Sequence, residues 1–139
     1  MRLVIQDLFT SRPTFVAHTG IVVTEATSDL ARGRLVIDEN HHQPYGVVHG
    51  GVYCTLSETI ASTGAAIWAL EQGMAGAVGV SNTTDFLRAT TNGVLIAEAT
   101  PIHRGRTQQL WRVNITREED GKLAAQSQVR LQNVTDTNF

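Results

Sequence analysis

The sequence predicts an α+β protein in which an antiparallel sheet packs against one long, buried helix. Residues from 77 onward alternate apolar and polar side chains as strands do, and Asn92-Gly93 and Asp120-Gly121 supply turns. Residues 50–70 contain no Pro and no turn signal, are rich in Ala, Leu and Ile, and are too many for one strand. No linker, repeat or low-complexity tract separates these parts, so residues 1–139 are predicted to form a single domain.

Two strands are predicted ahead of the helix. They cover residues 18–27 and 30–38, and Thr27-Ser28-Asp29 supplies the turn between them. The helix follows at 50–70, with apolar side chains on most of its circumference, which indicates burial on nearly all sides. Its Ser, Thr and Glu side chains are too numerous for a membrane span.

Four strands are predicted after the helix. The first two cover residues 77–90 and 94–103, and the second of these has apolar residues in both alternating sets, as interior strands do. The last two form a hairpin around Asp120-Gly121, in which residues 123–132 alternate regularly. The apolar residues that alternate in its first strand are Trp111, Val113 and Ile115.

The composition argues against several classes of function. The 11 Lys and Arg against 13 Asp and Glu give a net charge of -2, which provides no basic surface for nucleic acid. A single Cys excludes an internal disulfide, and the five His lack metal-ligand spacing, so no metal is expected. Residues 1–10 hold one Arg and an apolar run too short for a signal peptide, which predicts a cytoplasmic protein without membrane attachment.

Charged residues make up 17% of the chain, below the roughly 25% typical of soluble domains, and the shortfall lies in the middle. No Lys or Arg occurs from 35 to 87, and Glu58 is the only formally charged residue from 40 to 70. Glu58 either lies on an exposed helix stripe with Thr55 and Ser62, or is a lone carboxylate at a cleft wall, suited to act as a base or nucleophile. Ser62, one turn on, projects from the same face; it either orients that carboxylate or an attacking water, or only bonds back to the preceding turn of the helix.

The residues before the helix form a second candidate cluster, Gln43-Pro44-Tyr45-Gly46-Val47-Val48-His49-Gly50-Gly51. Two glycines at a helix start leave backbone N–H groups open at the positive end of the helix dipole, where a ligand oxygen can bind. Gly50 is therefore a candidate oxyanion donor. The alternative is that the glycines only permit a tight bend, and that His49 is a packed or capping histidine.

The spacing His42-Gln43-Pro44-Tyr45-Gly46-(x2)-His49-Gly50-Gly51-(x6)-Glu58-(x3)-Ser62 resembles the signature of hotdog-fold acyl-CoA thioesterases. Within them it is similar to the 4-hydroxybenzoyl-CoA thioesterase branch, which includes the 1,4-dihydroxy-2-naphthoyl-CoA thioesterases. The resemblance spans residues 19–134 and includes Pro101-Ile102-His103-Arg104-Gly105-Arg106 and Gln109-Leu110-Trp111. It implies the hotdog architecture, an antiparallel sheet wrapped around the long helix.

The resemblance also implies roles for the candidate residues. Glu58 would be the nucleophile or general base, and Ser62 would assist it or a water. The Gly50 N–H would polarise the thioester carbonyl, with Gln43 and His49 nearby. Such polarisation matters because hydrolysis places negative charge on the carbonyl oxygen, and losing one preorganised donor raises the barrier by about 2.7–4 kcal/mol.

One position departs from the family pattern, because relatives often carry His where this sequence has Phe86. A more apolar acyl pocket is therefore expected. Arg88, Arg104 and Arg106 are candidates for binding the CoA phosphates, since Arg binds phosphate bidentately, although each also fits as an ordinary surface residue. No cofactor is expected, because CoA is part of the substrate.

The expected activity is hydrolysis of an acyl-CoA with an aromatic or short-to-medium acyl group. Members of the family pair so that each active site takes residues from both subunits, which implies a homodimer or a dimer of dimers. Much of the charge-poor middle of the chain would then face the partner subunit. One alternative is a non-catalytic acyl-CoA-binding or sensing protein, which would not need Glu58. A hydratase or dehydratase on the same fold is a further alternative, but the sequence shows no matching His and carboxylate pair.

Overall fold

The computed structural model describes residues 12–136, with six strands and two α-helices. In chain order they are α1 (Phe15–Thr19), β1 (Val22–Ala26), β2 (Ala31–Val36), a short 3-10 helix (Glu39–His41), α2 (Gly50–Glu71), β3 (Gly76–Phe86), β4 (Val94–Arg104), β5 (Gln108–Arg117) and β6 (Leu123–Val134). The strands form one sheet in the order β1-β2-β4-β5-β6-β3, and all neighbours run antiparallel. Residues 1–10, on which the expectation of a cytoplasmic protein rests, lie outside the described residues.

Helix α2 packs against all six strands of the sheet. The prediction of an antiparallel sheet around one long helix is therefore confirmed. Side chains fully buried between the two layers include Leu56 and Ile60 of α2, which lie in one core with Trp111 and Ile115 of β5. Burying each such side chain stabilises the fold by about 1.5–3 kcal/mol. Within residues 12–136 no helix is both long and apolar enough to cross a bilayer.

The first predicted strand begins too early in the sequence. Residues 18 and 19 belong to α1, which begins after Thr14, whose side chain accepts a hydrogen bond from the Ala17 N–H (3.2 Å). The helix ends at Gly20, where a φ of 85° turns the chain into β1. A capping Thr and a terminating Gly therefore override the weak strand pattern at this point.

The strand after α2 is also shorter than the predicted 77–90, because β3 ends at Phe86. It pairs with β6 at one end of the sheet, so β3 and β4 are not neighbours across the Asn92-Gly93 turn. The predicted hairpin around Asp120-Gly121 is confirmed, with the Gly121 N–H donating to the Arg117 carbonyl (2.8 Å).

Candidate active site

The N-terminus of α2 is capped by His49, whose Nδ1 accepts a hydrogen bond from the Gly51 N–H (2.8 Å). A neutral His49 ring with this bond carries its proton on Nε2. The ring lines a cavity of about 440 Å³ together with residues of α1 and of the 40–42 segment. The capping interpretation of His49 is therefore what the structure shows, whereas its place near a reacting carbonyl stays a prediction.

The N–H of Gly50, the first residue of α2, has no acceptor within its own helix. A Cβ on Gly50 would lie 2.7 Å from Cζ of Phe86, so a larger residue fits there only if that ring moves. Gly50 lines a cavity of about 300 Å³ that we call the Gly50 cavity. Its other lining residues are Gln43, Val47, Val48, Tyr53, Phe86, Leu87, Arg88 and Ala89.

Gln43 reaches the Gly50 cavity from a tight turn ahead of the helix. Its carbonyl accepts a hydrogen bond from the Gly46 N–H (2.9 Å), and its Oε1 accepts one from the Tyr45 N–H. Because the side-chain oxygen is held by the backbone, the amide nitrogen is the end of Gln43 that remains to donate. Gln43 and Gly50 therefore each contribute a potential donor to the lining of the Gly50 cavity.

Glu58 lies two turns further along α2, and its side chain is exposed. Its carboxyl group lies against β3, where a Cβ on Gly79 would be 3.0 Å from Cδ and Oε1. It lines a second cavity, of about 280 Å³, which we call the Glu58 cavity and which includes Phe15 and Asn82. Within residues 12–136 the carboxylate forms no salt bridge or hydrogen bond, so it is available to a ligand or to another copy of the chain.

Ser62 is half-buried on the same face of α2, one turn beyond Glu58, but it does not line the Glu58 cavity. The position of Asn82 is better defined. Its side-chain amide donates to the Cys54 carbonyl (3.0 Å) and its Oδ1 accepts from the Thr84 hydroxyl (2.7 Å), which fixes β3 against α2 beside Glu58. Sequence reasoning missed Asn82 because no local signal marks the pairing of β3 with the helix.

Gly50 and Glu58 lie far apart along α2 for two groups that would act on the same carbonyl group. Eight residues of α-helix separate them by about 12 Å along the axis at 1.5 Å per residue. A reacting carbonyl must lie about 3 Å from both its hydrogen-bond donor and its attacking atom. The two halves of the predicted site also line separate cavities.

Comparison with known proteins identifies the family. The model of the Thioesterase superfamily matches residues 45–124, which include Gly50 and Glu58. The chain belongs to the thioesterase superfamily. It is accordingly a thioester hydrolase, and its fold is the hotdog fold of that family.

Relatives of this thioesterase cover most of its length. The Mycobacterium tuberculosis protein Rv1847 is 46% identical over 121 residues, 86% of each chain. Its solved structure superposes with a TM-score of 0.84, covering 88% of this chain and 97% of that one. A Haemophilus influenzae thioesterase structure is 33% identical, with a TM-score of 0.85 over 97% of this chain and 94% of that one. The Klebsiella pneumoniae proofreading thioesterase EntH is 32% identical over 112 residues, 81% of this chain and 80% of that protein.

The three arginines predicted to bind phosphate occupy different places in the thioesterase. Arg88 lines the Gly50 cavity and donates to the Leu123 carbonyl (2.8 Å). Arg104 instead holds the β1–β2 turn, donating to the Ser28 carbonyl (2.6 Å) and to Oδ1 of Asp29 (3.0 Å). Its guanidinium also lies 5.5 Å from the centroid of the Trp68 ring. Arg106 is exposed in the turn between β4 and β5.

Two aromatic rings form one wall of the Gly50 cavity. The Phe86 and Tyr53 ring centroids are 5.8 Å apart, with an angle of 36° between the planes. Phe86 is 57% exposed whereas Tyr53 is only 3% exposed. Sequence reasoning singled out Phe86 as a departure from the family pattern, but no signal in the sequence marked Tyr53. No group of three or more metal-ligating side chains occurs in the part of the chain that is described.

Proposed function

We propose that this thioesterase hydrolyses acyl-CoA to the free acid and CoA in composite sites built by two copies of the chain. Each site would combine Gly50 and Gln43 of one subunit with the partner subunit's Glu58. The observation that carries the proposal is the separation of about 12 Å between Gly50 and Glu58 on one helix. In a dimer with a twofold axis every contact between the subunits occurs twice. Such a dimer would therefore contain two composite sites, each with residues from both subunits.

The free edge of β3 supports this pairing. β3 is 11 residues long and ends the sheet, with β6 on one side. Val78 and Val80 on this strand are 36% and 53% exposed. A long edge strand with exposed apolar residues is prone to pair with another chain, and Glu58 lies against Gly79 of the same strand. Pairing of two β3 edges would therefore bring each Glu58 close to the partner subunit.

The donors at one end of the composite site and the carboxylate at the other would carry out different parts of thioester hydrolysis. The Gly50 N–H and the Gln43 amide donate to the thioester oxygen and stabilise the negative charge that develops there. The Glu58 carboxylate either attacks the carbonyl carbon, giving an anhydride that water hydrolyses, or removes a proton from an attacking water. In both routes the carbon–sulfur bond breaks, and CoA leaves as the thiolate. Arg88 lines the Gly50 cavity and is the best placed of the three arginines to bind a CoA phosphate.

Release of free thiol from a panel of acyl-CoA substrates tests the proposal. The panel spans short, medium and aromatic acyl groups. We expect turnover of at least one substrate, and a loss of about 10²–10⁴-fold in kcat in Glu58→Ala, the range for removal of a general base. Glu71→Ala, an exposed carboxylate at the end of the same helix, is the matched control and should keep wild-type activity.

Unchanged turnover in Glu58→Ala would exclude this mechanism. Saturable binding of acyl-CoA with no thiol release across the panel would instead favour the non-catalytic binding protein. Light scattering at micromolar concentration should give a dimer or a dimer of dimers, and a monomer would contradict the composite site.

A further inference from the structure

Tyr53, which lines the Gly50 cavity, has a buried hydroxyl group with no hydrogen-bond partner among the described residues. Within residues 12–136 only two buried side-chain polar atoms lack a partner, the hydroxyls of Tyr53 and Thr90. Buried polar groups in proteins are nearly always paired, so each exception calls for a reason. Tyr53 lines the Gly50 cavity, and Thr90 does not.

Tyr53 and Gly50 lie on the same face of α2, three residues apart. The Phe86 ring touches both of them. Its Cζ lies 2.7 Å from the position that a Gly50 Cβ would take, and its centroid is 5.8 Å from that of the Tyr53 ring. The candidate carbonyl donor and the unpaired phenol are therefore parts of one wall, joined by an aromatic ring.

Two other polar side chains of this cavity each form one hydrogen bond already. Oε1 of Gln43 accepts from the Tyr45 N–H, and Arg88 donates to the Leu123 carbonyl. Apolar side chains such as Val48 and Leu87 make up much of the remaining surface. A cavity of about 300 Å³ is at the small end of ligand sites, where a few convergent polar groups determine which ligand binds.

We propose that Tyr53 is a specificity-determining residue that recognises a polar substituent on the acyl group by a hydrogen bond. With the carbonyl at Gly50, the Tyr53 hydroxyl would exchange a hydrogen bond with a hydroxyl or keto oxygen further along the acyl chain. Because the Tyr53 hydroxyl is buried, the half-exposed Phe86 ring would have to rotate to admit the substituent. The substrate class is then small acyl thioesters that carry a hydrogen-bonding group, and this inference rests on the function proposed above.

Binding of thioether analogues tests the inference without needing turnover. In these analogues a methylene group between sulfur and carbonyl prevents hydrolysis. One series carries a phenyl ring, unsubstituted or with a hydroxyl at the ortho, meta or para position, because the cavity wall is aromatic. A second, four-carbon pair carries or lacks a hydroxyl two carbons beyond the carbonyl. The measured quantity is the ratio of the two Kd values in each matched pair.

We expect at least one hydroxylated analogue to bind wild type about tenfold more tightly than its unsubstituted partner, as one well-formed hydrogen bond allows. In Tyr53→Phe this ratio should fall to about one. Tyr45→Phe is the matched control, because it removes the same hydroxyl from the other tyrosine, which is 92% exposed, and should keep the wild-type ratio.

A second readout checks that the hydroxyl has no structural partner. Tyr53→Phe removes an unpaired buried group, so its Tm should rise by roughly 2–4 °C. A fall in Tm would overturn the inference, since it would show that the hydroxyl is already bonded in the folded protein.

The same inference is overturned if Tyr53→Phe leaves every Kd ratio unchanged, or if wild type binds none of the analogues. Its failure is distinguishable from failure of the proposed function. Thiol release that depends on Glu58, together with Kd ratios that do not depend on Tyr53, would remove this inference alone. Kd ratios that depend on Tyr53, together with no thiol release, would remove the proposed hydrolysis of acyl-CoA and keep the specificity for polar acyl groups.

Discussion

The contact between Gly79 and Glu58 gives a sharp prediction about activity. In Gly79→Ala the new Cβ would lie 3.0 Å from Cδ and Oε1 of Glu58. Carbon atoms pack best at roughly 3.5–4.0 Å, so the carboxylate must move by about 0.5–1 Å. A misplacement of about 1 Å in a reacting group lowers the rate by up to about 10²-fold. We therefore expect kcat/KM for thiol release to fall by about 10–100-fold.

Stability should change little in Gly79→Ala, because the group that moves is the end of an exposed side chain. Gly76→Ala is the control in the same strand, since its Cβ would meet only Cγ2 of Val134, at an ordinary 3.8 Å. It should keep wild-type kcat/KM. Adding Gly79→Ala to Glu58→Ala should cause no further loss. Wild-type kcat/KM in Gly79→Ala, or an equal loss in the Glu58→Ala background, would refute the reasoning.

Two further predictions concern stability. Gly64→Ala should lower the free energy of unfolding by about 1–3 kcal/mol, as overpacking does, because its Cβ would lie 2.6 Å from Cη2 of the buried Trp111. Denaturant unfolding checks this, and a gain of about 1 kcal/mol, as helix propensity alone gives, would contradict it. The hydrogen bond from Arg117 lowers the pKa of Asp120, so the stabilisation by this pair is present above the ordinary Asp value and is lost as pH falls through the lowered pKa. Asp120→Asn should therefore have a lower Tm than wild type near pH 7, and this difference should disappear as pH falls through the lowered pKa; a difference independent of pH would contradict the assignment.

Much of the fold follows from local patterns in the sequence. The alternation of Trp111, Val113 and Ile115 predicts the buried face of β5 because side chains of a strand point alternately to its two faces. The length and composition of residues 50–70 predict α2 almost to the residue. The short helix α1 was missed, although a capping Thr14 and a terminating Gly20 mark its ends in the sequence.

The candidate site was predictable only in part. Gly50 and Glu58 stand out because glycines at a helix start and a lone carboxylate are unusual in a charge-poor segment, whereas Gln43 is indicated only by the family resemblance. Their separation follows from helix geometry once the helix is accepted. The role of Tyr53 was not visible, because a Tyr among apolar helix residues is ordinary core composition. Only the structure shows that its hydroxyl is buried and unpaired and that Tyr53 and Gly50 line the same cavity.

The central claim is that each active site combines residues of two subunits, and subunit complementation tests it most directly. Gln43→Ala and Glu58→Ala proteins are each expected to be nearly inactive, and they are mixed in equal amounts under conditions that exchange subunits. Random pairing makes half of the dimers mixed, and each mixed dimer holds one intact site, so about one quarter of wild-type thiol release should return. Two inactive proteins that exchange subunits and restore no activity would contradict the account.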